Sequence, residues 1–230
     1  MAVETALSPC PGQLKTLPER VFCQLREAIV DGRIPAGSKI SEADLAERYG
    51  TSRGPLREAI SQLAAVGLVE RRPNIGARVI ELSSEQLLDI FRVRECLEGT
   101  AARQAAGRMT GEAIERLRAT LDEHGKRIQE DEGQAYFQES GDLDFHYQII
   151  LGSGNRYLVK LLCHDLYYLV RMYRCQFGMR SKRGPAALEE HRAIVDAIAR
   201  GDGEMAELLM RAHIRLARAN VKRMLEATIK

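Results

Sequence analysis

SKISEADLAERYGTSRGPLREAISQLAAVGLVERRPNIGARVI, residues 38–80, carries two structural signatures in succession. Ser41 stands as a helix N-cap ahead of a short run ending near Tyr49, Gly50 supplies a turn, and Ser52 caps a further helix to about Val66. After Gly67 the texture changes to two short extended runs, Leu68–Arg71 and Ala77–Leu82, parted by the turn residues Pro73, Asn74 and Gly76. Upstream, Val21, Leu25, Ala28 and Ile29 recur at helical spacing from about Pro18 to Asp31, where Gly32 and Pro35 stop the helix. Three helices followed by a hairpin predict a winged helix-turn-helix over residues 17–81. Residues 1–16, with Pro9, Pro11 and Gly12 and little periodicity, are expected to be a disordered leader.

The third helix carries the chemistry of this region. Ser52, Arg53 and Arg57 occupy its first turns, where a helix entering the major groove meets base edges and phosphates. An arginine fork can bond O6 and N7 of guanine together, while Ser52 and the helix N-terminus can hold a phosphate without reading sequence. Leu56, Ala59, Ile60, Leu63 and Ala64 form the opposite, core-facing stripe. In the wing, Arg71, Arg72 and Asn74 can reach the backbone or the adjacent minor groove, although Asn74 and Gly76 equally suit a turn with no partner.

The net charge of +2 is uninformative, but its distribution is not. From Arg48 to Arg78 there are six arginines and two acids, a local excess of +4, whereas from Glu81 onward 23 basic residues balance 23 acidic ones. Neither a signal peptide nor an apolar run of spanning length is evident, so a cytoplasmic protein is expected. Five scattered cysteines without a C-x-x-C pair argue against a disulfide framework or a thiolate zinc site, and read as mostly buried, reduced thiols.

Beyond Ser83 the sequence reads as helix throughout. Glycine-containing breaks divide it into about six helices, so residues 82–230 are expected to form an antiparallel all-α bundle and the protein is mainly α. Asp142 and His146 share one helix face, one turn apart, a spacing also common in surface salt links. His191 and His213 lie eleven residues either side of Asp202 in a Gly-Asp-Gly turn, so antiparallel flanking helices would bring both to one level. Each sits on an apolar stripe facing the bundle interior. Three imidazoles and one carboxylate suit zinc, the first expectation, or nickel, manganese or iron. His124, spaced with Leu117, Leu121 and Ile128, reads as a core histidine without a ligand role.

Arg94 interrupts the apolar stripe Leu87, Ile90, Leu97, Ala101 and Ala105. A buried guanidinium needs an anion. The partner can be an internal carboxylate, Glu98 or Asp165, or the carboxylate of an effector that also reaches the metal, with Tyr168 and Arg171 lining the same site. No H-E-x-x-H, nucleophile elbow or Ser-His-Asp ordering is present, so a metallo-hydrolase with a DNA-binding appendage is the remote reading.

Residues 21–79 together with DLDFHYQI (142–149), GSGN (152–155), EEHRAIVDAIARGD (189–202) and RAHIRLA (211–217) resemble, in order, bacterial GntR-type transcription factors with a FadR-type C-terminal (FCD) domain, of the VanR-like six-helix kind. The resemblance spans residues 17–220. It implies a homodimer on a short palindromic operator and DNA contacts at Ser52, Arg53, Gly54, Arg57 and the wing Gly76. It also implies a metal held by Asp142, His146, His191 and His213, and it brings the first pair alongside the second. A repressor sensing an organic acid is the leading expectation, and a sensor of the metal ion itself the alternative. Ile75 departs from the wing arginine common in the family, and Ala43 from a basic residue of some members.

Overall fold

The computed structural model describes residues 16–72, 76–81, 83–130, 141–176 and 183–228, with the side chains of residues 72, 141–144, 174–176 and 228 set aside. The chain divides into two compact units, residues 1–81 with 164–176, and residues 82–163 with 177–230.

In the first unit, α1 (Leu17–Val30) starts at a capping box, in which Thr16 and Glu19 satisfy each other's backbone N–H groups. The two-residue β1 (Lys39–Ile40) precedes α2 (Glu42–Arg48), capped by Ser41, and α3 (Arg53–Ala65), which begins after Ser52. β2 (Val69–Arg72) and β3 (Gly76–Val79) form the antiparallel hairpin of the wing. β1 pairs with the other edge of β3, giving the order β1-β3-β2. Two residues are too few to show strand periodicity, so β1 leaves no signature in the sequence beside the hairpin. Leu25, Ile29, Leu56, Ala59, Ile60 and Leu63 are buried in one core, as the helical spacing of α1 and α3 requires.

That core has a component the sequence reading assigned elsewhere. Helical structure runs from α7 (Arg156–Leu158) through a π-helical stretch (Val159–Leu166) into α8 (Tyr167–Gln176). Residues 164–176 belong to the first unit, and Tyr168 and Met172 are buried in its core. Cys23 on α1 is disulfide-bonded, which corrects the expectation of reduced thiols at this position, whereas Cys96 and Cys163 are free.

In the second unit, α4 (Ser84–Ala106) starts at a Ser83–Gln86 capping box and packs along α10 (Gly203–Thr228). α5 (Gly111–Glu130), α6 (Gly141–Gly152) and α9 (Gly184–Ala199) complete the layer around Phe91, Leu117, Phe145, Ile149 and Ile194. Gly201 turns the chain between α9 and α10 at φ +72°, a left-handed conformation that glycine adopts without a Cβ penalty. This turn returns α10 alongside α9 and sets the level of the histidines on the two helices. Among the described residues no helix is long and apolar enough to cross a membrane.

Candidate functional site

The first unit presents a basic face at the start of α3. Ser52, Arg53, Gly54 and Arg57 are all exposed, and Ser52 makes no side-chain capping bond. The Arg57 Nε donates to Glu42 Oε2 at 2.7 Å across α2 and α3. Arg71 on β2 donates to the Arg57 carbonyl at 3.3 Å, tying wing to helix. A Cβ on Gly54 would meet nothing within 4 Å among the described residues, so their packing gives no reason for glycine there. Gly76 is exposed on β3; the Arg72 side chain and Asn74 lie outside the described residues.

The second unit brings three histidines together inside the bundle. His146 on α6, His191 on α9 and His213 on α10 are each at most 2% exposed, and each offers a ligand atom within 4.8 Å of the others. Nε2 of His191 and Nε2 of His213 are 3.1 Å apart. Two imidazole nitrogens on one tetrahedral zinc lie about 3.3 Å apart, so this pair is spaced as ligands are. Phe145 stacks on His191 with ring centroids 4.0 Å apart and closes one side of the cluster.

Carboxylates stand behind two of the rings. His213 Nδ1 is 2.7 Å from Glu190 Oε2, and the same carboxylate accepts two bonds from Arg183 Nη2. His146 Nδ1 is 2.5 Å from Glu98 Oε2. A carboxylate on Nδ1 fixes the tautomer that leaves Nε2 as the ligand atom, the usual support of a metal-binding histidine. The donor set therefore fits a divalent transition metal. Burial by itself would push the Glu98 carboxyl up, but the charges of Arg94 and His146 outweigh it and hold it down at about 2. Burial and the Glu98 charge push the nearby Cys163 thiol up to about 12, so it stays protonated.

Arg94 lies beside this network and is 3% exposed. Its Nε donates to Glu98 Oε1 at 2.6 Å, so the internal carboxylate anticipated from sequence is Glu98. Nη1 is also buried, yet has no hydrogen-bond partner among the described residues. Leaving a buried donor unmet costs about 1–3 kcal/mol.

Other site residues fall differently from the sequence reading. Asp142 is on α6, but its side chain lies outside the described residues. Tyr168 and Arg171 are not in the histidine unit. Tyr168 accepts a 2.8 Å bond from Arg26 and Arg171 pairs with Glu27, because α8 packs on α1. Glu190 was missed: beside Glu189 and Arg192 it reads as one more charge on a solvated face. His124 is buried and outside the three-histidine group.

Residues 17–79 match the family described as "Bacterial regulatory proteins, gntR family", and residues 89–216 match the FCD domain. The chain is 32% identical over 201 residues to the "Probable D-xylose utilization operon transcriptional repressor" of Paenarthrobacter nicotinovorans, covering 84% of this chain and 85% of that one. It is 32% identical over 214 residues to the "Uncharacterized HTH-type transcriptional regulator BphR" of Paraburkholderia xenovorans LB400, covering 90% and 86%. Among solved structures, E. coli McbR/YncC has the same fold, with a TM-score of 0.72 at 20% identity over 91% of this chain and 99% of that one. The chain thus belongs to the gntR family of bacterial regulatory proteins, as a DNA-binding transcriptional regulator, not an enzyme, that joins a winged helix-turn-helix to an FCD domain.

Proposed function

We propose that this regulator is a repressor whose FCD bundle holds a divalent transition metal, zinc first, on His146, His191 and His213 with Asp142, and senses a small organic carboxylate there. The observation that carries this reading is the buried three-histidine cluster with a buried Arg94 donor beside it. A carboxylate gives the metal an oxygen ligand and gives Arg94 Nη1 an acceptor, so one ligand answers both groups. The repressor sign is supported by similarity to the repressor of P. nicotinovorans. Operator contact is assigned to Ser52, Arg53, Gly54 and Arg57, with Arg72, Asn74 and Gly76 from the wing, in the cytoplasm where the operator lies. The open space over Gly54 suits close approach of a phosphate backbone. The effector must favour a different arrangement of the DNA-binding units from the operator, since equal affinity for both shifts nothing.

Calorimetry of mono-, di- and tricarboxylates against metal-loaded and metal-stripped protein tests the reading. Binding confined to loaded protein and lost in Arg94→Ala supports it. Release of DNA on chelation alone, with no acid bound in either state, makes the metal itself the signal. His213→Ala is expected to lose stoichiometric zinc by elemental analysis, and Glu190→Gln to weaken zinc binding by about 10–100-fold through the lost support of His213. Undiminished zinc in His213→Ala removes the site.

The proposed homodimer uses the outer face of α4 and α10. Met205, Leu208, Ala212 and Leu216 recur at heptad-like spacing along α10, with Leu208 59% and Leu216 50% exposed, and Val93 is exposed on α4. Charges of both signs border the stripe, Arg215 and Arg218 with Glu95 and Arg103 with Glu204, as a self-complementary twofold contact needs. Leu208→Asp with Leu216→Asp is expected to give a monomer by light scattering with helical content retained. A dimer that survives both changes excludes this face.

A further inference from the structure

Glu42 stands on the basic face without a part in the operator contact assigned above. It is the first residue of α2, one position after the Ser41 cap, and its Oε2 accepts from Arg57 Nε on α3 at 2.7 Å. The pair joins two helices across 15 residues of sequence, unlike Arg92–Asp89, Arg118–Glu115 and Arg192–Glu189, which lie along single helices. The Glu42 side chain is 35% and that of Arg57 64% exposed, so nucleic acid can reach both. Arg71 Nη2 and Ser61 Oγ bond the Arg57 carbonyl and leave the guanidinium alone. Among the described residues, Nη1 and Nη2 of Arg57 carry no bond of their own.

We propose that Glu42 is a specificity-determining residue, an internal anion that keeps Arg57 from phosphates while leaving it open to guanine. The proposal rests on the operator contact assigned to Arg57. A carboxylate and a phosphate offer a guanidinium the same kind of bond, from oxygen lone pairs that carry negative charge. A phosphate that takes Nε therefore has to displace Glu42, and it exchanges one charged acceptor for another. A phosphate that settles on Nη1 or Nη2 instead brings a second anion to a guanidinium whose charge is already met, and the two anions repel. Guanine O6 and N7 are neutral acceptors side by side, which Arg57 can bond through Nη1 and Nη2 while Glu42 keeps Nε. Guanine meets no such repulsion, and the carboxylate holds the fork in place for it. Binding without sequence preference is driven by phosphates, so a penalty confined to phosphate lowers affinity for unselected DNA more than for the operator.

The test uses the full-length protein, a duplex selected from a random pool by the wild-type chain, and a scrambled duplex of the same composition. Glu42→Gln keeps a carbonyl acceptor for Arg57 Nε and removes the charge. By fluorescence anisotropy this variant is expected to bind the scrambled duplex at least roughly five-fold more tightly and the selected duplex within about two-fold of wild type, and so to lose discrimination. The log–log salt dependence of scrambled-duplex binding is expected to steepen by about 0.9, the equivalent of one phosphate gained. Thermal unfolding is expected to stay where it is, because an exposed pair contributes little. In an Arg57→Ala background the same substitution is expected to change neither affinity. No change in Glu42→Gln, equal gains on both duplexes, or a gain on scrambled DNA that persists without Arg57 each overturns the proposal. Wild-type affinity for both duplexes in Arg57→Ala alone removes the operator contact on which the proposal stands, and is read separately from the Glu42 result.

Discussion

Glu98→Ala is expected to destabilise the FCD unit by about 3–5 kcal/mol, read from the urea midpoint at neutral pH with metal stripped from both proteins. Glu98 serves both Arg94 Nε at 2.6 Å and His146 Nδ1 at 2.5 Å, and all three side chains are almost fully buried. Removing it strands the Arg94 charge in the bundle core, with no other carboxylate paired to it among the described residues. Surface pairs provide the contrast. Glu189–Arg192 is largely exposed, so Glu189→Ala is expected to change stability by less than about 0.5 kcal/mol. The pH dependence follows from the depressed carboxyl. Its contribution is complete above the ordinary value of 4.5 and is lost as pH falls toward the folded value of about 2. The wild-type chain therefore loses stability across that acid window, and Glu98→Gln flattens this part of the curve. A loss under about 1 kcal/mol in Glu98→Ala would mean that Arg94 finds a different counter-charge.

The residues that sequence placed well are those whose position follows from local rules. His191 and His213 meet because a short glycine turn with Gly201 at φ +72° folds α10 back on α9, and equal spacing from that turn sets them level. Ser41, Ser52 and Gly50 mark the ends of α2 and α3 by cap and turn chemistry that acts within a few residues. What sequence could not convey is which surface a helix packs against. Tyr168 and Arg171 have the same periodicity whether α8 covers the bundle or α1, and only the buried Arg26 that Tyr168 meets decides it. Glu190 failed for a related reason. Its role depends on reaching His213 from the neighbouring helix, a contact across 23 residues of sequence.

Arg57→Ala is expected to weaken binding to a selected operator duplex by about 1–3 kcal/mol, roughly 5- to 150-fold, with thermal unfolding unchanged. The separation of effects follows from where the side chain stands. Leu56, Ala59, Ile60 and Leu63 hold α3 in the core, while the Arg57 side chain is 64% exposed and touches Glu42 on the surface. Arg71 bonds the Arg57 carbonyl rather than its side chain, so the substitution leaves the wing tethered. Glu42 orients the guanidinium in the free protein and must yield when a base or phosphate takes its place. Arg57→Lys distinguishes the two kinds of DNA contact. Lysine keeps the charge but not the planar fork, so a base-reading Arg57 makes the lysine variant lose discrimination between the selected duplex and a scrambled one while binding both. A phosphate-holding Arg57 instead leaves the ratio of the two affinities intact and lowers both together, with a shallower salt dependence in Arg57→Ala. An unchanged footprint in Arg57→Ala would remove the start of α3 from operator contact altogether, and the +4 charge excess between Arg48 and Arg78 would then have to act through the wing.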